Sequence, residues 1–321
     1  MSETTASLRF LASVAALALG VVAAVIVIVL GHRTPGPVGS GAAPARTPAS
    51  SAPATQPGKA AFPAPPQGAV VFSRPDGSDV LALGVVPGRK LGLQASVLSG
   101  EGQGVGGLRV SFRVGAKTAA AEPCGAGCYR ATASVAGAPK SVDVVVERTA
   151  GTTRWHVTMP RPWPPPDASK IVAEATRTFK SLRTFEIQDR LASDARHVVV
   201  TRWTIVGPNS LSYQIKDGPA GVIIGSRRWD KVPGADWQVS AQTPIHQPTP
   251  FWQSWQDAHV LASTKDDWCV SFFDPKTPAW YELVIAKDTM RPLDMHMNAT
   301  AHFMHDVYGK FNAPLRVAPP S

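Results

Sequence analysis

Cysteine is scarce in this chain, with three in 321 residues. That excludes a disulfide-dense scaffold and any four-cysteine zinc module. Basic runs are missing too. The formal net charge is +9, yet Arg89-Lys90 and Arg227-Arg228 are the longest basic stretches. No stripe follows a phosphate backbone, so nucleic acid is not a partner. The charge reads instead as solubility, or as mild attraction to an anionic membrane surface. Catalytic signatures are absent: there is no nucleophile elbow, P-loop, dinucleotide fingerprint or HExxH. Carboxylates are sparse, and the pairs Asp266-Asp267 and Glu186/Asp189 fall where exposed turns or strand edges are expected. The chain is not read as an enzyme.

Long apolar runs are also missing, with one exception. Residues 10–30 hold 21 positions without a charge, enough at about 1.5 Å each to cross the roughly 30 Å hydrocarbon core of a bilayer. A cleavable signal has a shorter apolar region, and no cysteine follows to carry a lipid. The expectation is a short cytoplasmic tail over 1–9 and an uncleaved signal-anchor helix over 10–31. A long cleaved signal is the alternative. The bulk of the chain would lie outside the cell membrane, held by a single pass. The basic residues on either side do not decide that orientation; it rests on the linker and the cysteines. Residues 32–68 contain nine prolines and no acidic residue, which reads as a semi-rigid tether unable to bury a core.

What is present is β-structure. From 69 to 160, short runs alternate apolar and polar, as in Leu108, Val110, Phe112 and Val114 with Arg109 and Arg113 between. Glycine-rich turns separate them, and the pattern predicts an immunoglobulin-like antiparallel sandwich of about seven strands. Consecutive prolines over 161–166 exclude helix and central strand, making a stiff joint. Asp167 then suits a helix N-cap, and Ile171, Ala175, Phe179 and Leu182 recur at helical spacing, which predicts a helix over 168–182. Nine or ten strand-like runs follow to the end of the 167–321 region. An antiparallel sheet of that length has to curve. Residues 244–258, apolar and broken by proline, read as a short helix or lid loop.

Several stretches carry a resemblance. FKSLRTFEIQDRLA, VVVTRWTIVGPNSLSYQIK, GVIIGSRRWDKVPGADW, FFDPKTPAWYELVIAKDTMRPLDMHM and VYGKFNAPLRVAPP resemble the LolA/LppX superfamily of lipoprotein carriers. The resemblance implies an open half-barrel with one helix plugging its concave face, and an apolar ligand such as a lipid or lipoprotein acyl chain. GRKLGLQASV, GLRVSFRV, CGAGCYRATASV and PKSVDVVVE are similar, less closely, to the YtkA-like immunoglobulin sandwich. That resemblance implies a neighbourhood of copper transport.

The candidate ligand cavity is lined by Ile171, Ala175, Phe179 and Leu182 of the helix, with Trp203, Phe251, Trp252, Trp255, Met295, Met297 and Met304. Trp252 and Trp255 are spaced either to form a lid or to pack the helix on the sheet. The stretch MHMNATAHFMH, 295–305, holds three of six methionines and three of eight histidines. If the last two strands turn around Ala299-Thr300, then Met297 faces His302 and Met295 faces Met304 on one side, with His296 and His305 on the other. Met295, Met297, His302 and Met304 would suit copper(I); as a cavity wall, the adaptable methionines would suit an acyl chain. The wall is the preferred reading, and no other cofactor is implied. Cys124 and Cys128 flank a three-residue loop and read as a disulfide in an oxidising compartment; a copper-chelating or redox thiol pair is the alternative. Cys269 reads as a small buried residue. A filled half-barrel acting only as a regulatory or scaffolding module is the third reading, and the sequence names no protein partner.

Overall fold

The computed structural model describes residues 62–321; the expected span over 10–31 and most of the 32–68 tether lie outside them. The first folded part has two sheets. β1 (Val70–Asp76), β2 (Asp79–Val86), β3 (Lys90–Leu98), β6 (Glu122–Gly125) and β7 (Cys128–Ser134) form one, in the order β1-β2-β3-β7-β6. β4 (Arg109–Val114), β5 (Lys117–Ala120), β8 (Ser141–Arg148) and β9 (Gly151–Thr158) form the other, in the order β5-β4-β8-β9. All their pairings are antiparallel. The strands number nine rather than about seven. The extra two, β5 and β6, are short, mostly exposed edge strands, which carry no alternation to read. Between the sheets lies an apolar core that includes Leu83, Leu93, Phe112, Tyr129, Val144 and Val146, with Trp163 of the proline-rich joint packed against it.

The second part begins with α1 (Ser169–Lys180), preceded by Asp167, whose carboxylate accepts the Ser169 N–H at 3.1 Å. The formal cap is Ala168, one residue later than expected. Eleven strands follow: β10 (Thr184–Ala192), β11 (Val198–Val206), β12 (Ser210–Ile215), β13 (Ala220–Ile224), β14 (Arg227–Lys231), β15 (Gln238–Ala241), β16 (Gln256–Ser263), β17 (Asp267–Asp274), β18 (Ala279–Ala286), β19 (Pro292–Ala299) and β20 (His302–Gly309). They make one open sheet in the order β15-β14-β13-β12-β11-β10-β20-β19-β18-β17-β16. The chain lays β10 to β15 outward from the centre, then jumps to the far edge and returns, so that β20 closes against β10.

That order dictates the role of the proline-broken segment: a chain leaving β15 for β16 must cross the whole sheet. It makes the crossing as an extended strap, not a helix. Gln247 N–H donates to Pro208 O at 2.7 Å, and the Gln253 N–H to Asp274 Oδ2 at 2.6 Å. Gly207 is required beneath it, since a Cβ there would lie 2.9 Å from Gln247 O.

The two parts share a second core. Ala69, Val71, Val80, Ala82 and Leu98 on the outer face of the five-stranded sheet pack on Ala192, Phe273, Trp280 and Phe303. These four stand on the convex face of the large sheet, away from α1. β2 is therefore covered on both sides, which is why DVLALGVV is buried almost throughout instead of alternating.

Candidate ligand-binding site

On the concave face, α1 buries Val172, Ala175, Thr176 and Phe179; Ile171 is half-buried, and Leu182 is buried just past the helix end. Phe179 meets Phe185 at 5.0 Å between ring centroids, Tyr308 at 5.6 Å and Trp252 at 6.0 Å. Trp252 in turn meets Tyr281 and Phe272, themselves stacked at 5.2 Å. Six of the chain's own rings thus fill the space between α1 and strands β10, β20, β18 and β17. Trp252 is 1% exposed, and its indole Nε1–H donates to Thr176 Oγ1 at 2.8 Å. It therefore pins the helix rather than forming an outer lid. Trp255 and Phe251, from the same strap, remain half-buried, as does Trp203, which leans on Tyr213 at 5.1 Å.

Met295, Met297 and Met304 are buried on this concave face, and the half-buried His302 shares it. The pairing differs from the expected one. Met297 stands opposite Met304, Met295 opposite Asp306, and His302 opposite Ala299. The turn is the pair Thr300-Ala301, with Ala301 at φ 57°, one step later than expected. The partners shift by two residues, an even number, so the face survives while every predicted partner changes. Met295 Sδ lies 3.6 Å from the Tyr308 hydroxyl oxygen, and His302 Nδ1 lies 2.9 Å from Thr300 O of its own turn.

The sequence reading placed Asp189 on an exposed edge; the structure buries it. Asp189 faces Asp306 across β10 and β20, and both lie in the concave core. Burial, followed by the neighbouring carboxyl, raises Asp306 well above the usual range, and burial pushes Asp189 up to about 6. Trp203 Nε1–H reaches Asp189 Oδ2 at 3.4 Å and the Tyr308 hydroxyl reaches Asp306 Oδ2 at 3.1 Å, while both Oδ1 atoms lack a partner among the described residues. A single proton shared between the two carboxyls would give each Oδ1 a partner. The signal was the alternation of β10, in which Phe185, Ile187, Asp189 and Leu191 share a face. Asp274, fully buried on the same face, is treated differently. Burial pushes it up, but Ser254, the Gln253 and Lys276 N–H groups and Thr277 donate to it, and the balance leaves it below the usual range.

The convex face carries other chemistry. His296 and His305 are paired in register and stacked, with Asp294 beside them. They border a cleft of about 400 Å³ between β1 and the large sheet, lined also by Arg74, Arg190, Glu282 and Asn298. Burial first, and then His305, lowers the His296 pKa. Cys269 is half-buried here, not buried; its thiol donates to Glu282 Oε1 at 3.4 Å and is pushed up to about 12 by burial and then by Glu282. Cys124 and Cys128 form a disulfide with Cα atoms 5.0 Å apart. Gly127 in its turn has φ +66°, and a Cβ there would lie 2.3 Å from Val97 O.

No family model matches the chain, and no curated protein matches it. Among solved structures it is similar to a LolA superfamily protein from Nitrosomonas europaea, at 12% identity and a TM-score of 0.24, over 48% of this chain and 96% of that one. The likeness is at most one of fold, and nothing about ligand or partner follows from it. That match lends no support to the YtkA-like resemblance. No helix among the described residues is long and apolar enough to cross a membrane.

Proposed function

We propose that the protein is a membrane-tethered, extracytoplasmic binding protein. It would take the hydrocarbon part of a lipid or lipoprotein onto the concave face beneath α1, without catalysis. The observation that supports this reading most is the face itself. From β10 to β17 it is built mostly of Phe, Tyr, Ile, Leu and Met side chains around the buried Asp189, Asp306 and Asp274, and what covers it is one 12-residue helix and a strap rather than a second sheet. The chain's own rings fill the hollow, so an acyl chain would enter by exchange with them. Re-exposing Val172, Phe179 and Trp252 costs roughly 1.5–3 kcal/mol each, and each methylene buried returns about 0.8 kcal/mol. A chain of roughly a dozen carbons therefore outweighs the exchange, and a much shorter one does not. The expected signal-anchor over 10–31 and the tether over 32–68 would hold the half-barrel near its source of lipid.

The test is a series of fatty acyl ligands, from about six to about eighteen carbons, titrated into the full chain. The expected result is no binding at the short end and one ligand per chain at the long end. Absence of binding at every length makes the filled hollow a structural core and leaves the scaffolding reading in its place.

A further inference from the structure

Successive side chains of a strand point to opposite faces. While Met295 and Met297 enter the hollow, Asp294 and His296 stand on the convex face, and His305 of β20 is directly opposite His296. The two imidazole rings are stacked, with centroids 4.1 Å apart and planes 9° from parallel. Both address one carboxylate: His305 Nε2 lies 2.8 Å from Asp294 Oδ2, and His296 Nε2 lies 3.4 Å from Asp294 Oδ1.

We propose that Asp294, His296 and His305 form a binding site for one borderline divalent transition ion, Zn2+ or Cu2+. The ion replaces the hydrogen bond that now joins the carboxylate to His305 and the longer approach of the carboxylate to His296. One ligand atom from each residue lies within 4.8 Å of the others, and turning the two rings out of their stack brings both nitrogen lone pairs and the carboxylate onto one ion at about 2.0–2.2 Å. Two imidazoles and a carboxylate suit such an ion, whereas calcium and magnesium prefer oxygen and copper(I) prefers thioether sulfur. The ligands sit on two paired strands of a sheet, which holds their spacing. Their side chains are 53%, 37% and 28% exposed for His296, His305 and Asp294, so an ion reaches them from solvent. Glu282 stands opposite His296 on β18, beside the site. The site is on the other side of the sheet from the apolar hollow, and it stands or falls independently of it.

For the test, the full chain is purified without a polyhistidine tag, stripped with chelator, and titrated with Zn2+ and with Cu2+. One ion per chain is expected, with a rise in melting temperature on loading. His296→Ala, His305→Ala and Asp294→Asn are each expected to weaken binding by at least roughly tenfold. His156→Ala, on β9 of the sandwich, leaves affinity unchanged. Absence of a stoichiometric ion, or full affinity in the variant lacking both His296 and His305, overturns the site. Should a variant fail to fold, electron paramagnetic resonance of the Cu2+-loaded natural chain decides. Coupling to two imidazole nitrogens is expected; coupling to fewer, or a thioether ligand in the X-ray absorption spectrum, overturns it.

Discussion

The two faces of the large sheet differ more than their shared strands suggest. Along β19, one residue serves a ring-filled hollow and the next serves either a seam with the sandwich or an open cleft. Met295 and Met297 are buried under α1, His296 borders the cleft, and Asn298 donates to Ser73 of the sandwich at 2.9 Å. A stretch rich in methionine and histidine therefore does not define one site. The period of two divides it into an apolar wall and a polar cluster with separate chemistry.

The largest expected effect that sharpens this contrast is Trp252→Ala. It removes the ring that pins α1 and leaves a cavity in the hollow, so a loss of about 3–5 kcal/mol in urea unfolding is expected. Trp255→Ala, in the same strap but half-buried, should lose far less. Equal losses would show that the strap, not the hollow, carries the energy.

Next comes the acid pair. Asp189 titrates near 6 in the folded chain, above the ordinary carboxyl range. From about pH 4 upward the folded state holds more protons than the unfolded one, so stability falls as pH rises through 6, and the proton kept by Asp306 carries the fall to higher pH. For Asp189 alone, a two-unit shift is worth up to about 3 kcal/mol at neutral pH. Asp306→Asn removes the second acid and adds an amide donor. The variant should melt higher than the natural chain at pH 7–8, with the gap closing below pH 4. A gap independent of pH would contradict a shared proton.

Replacing both Cys124 and Cys128 by serine opens a very short loop, and a loss of about 2 kcal/mol is expected from chain entropy. It should leave acyl binding unchanged, because the disulfide belongs to the sandwich. Smallest is Thr176→Val, which removes the acceptor of the Trp252 indole at nearly constant shape; about 1 kcal/mol is expected in the same unfolding assay.

Much of this architecture is legible in the residues. Alternation marks β4 and β10, helical spacing marks α1 to within two residues at either end, and the short loop between Cys124 and Cys128 marks their disulfide. The side of the sheet taken by each methionine and histidine also follows from the period of two. Four things do not follow. The pairing of β19 with β20 depends on a turn whose αL residue is Ala301, with no glycine to announce it. The strand order depends on long-range pairing of β10 with β20, which local pattern does not encode. The acid pair arises only from that pairing, since Asp189 and Asp306 are far apart in sequence. The seam with the sandwich was half visible, in the unbroken apolar runs Phe272-Phe273 and Trp280-Tyr281. Such runs mark strands covered on both faces, without saying what covers them.

The most direct test of the central claim, that the hollow exchanges its own rings for a ligand, is the indole N–H resonance of Trp252. It is assigned with a Trp252→Phe variant and followed as a long-chain acyl ligand is added. Its hydrogen bond to Thr176 Oγ1 should break on saturation, with the resonance moving and its exchange with water accelerating. An indole signal unchanged while ligand is bound would place the ligand elsewhere and contradict the account.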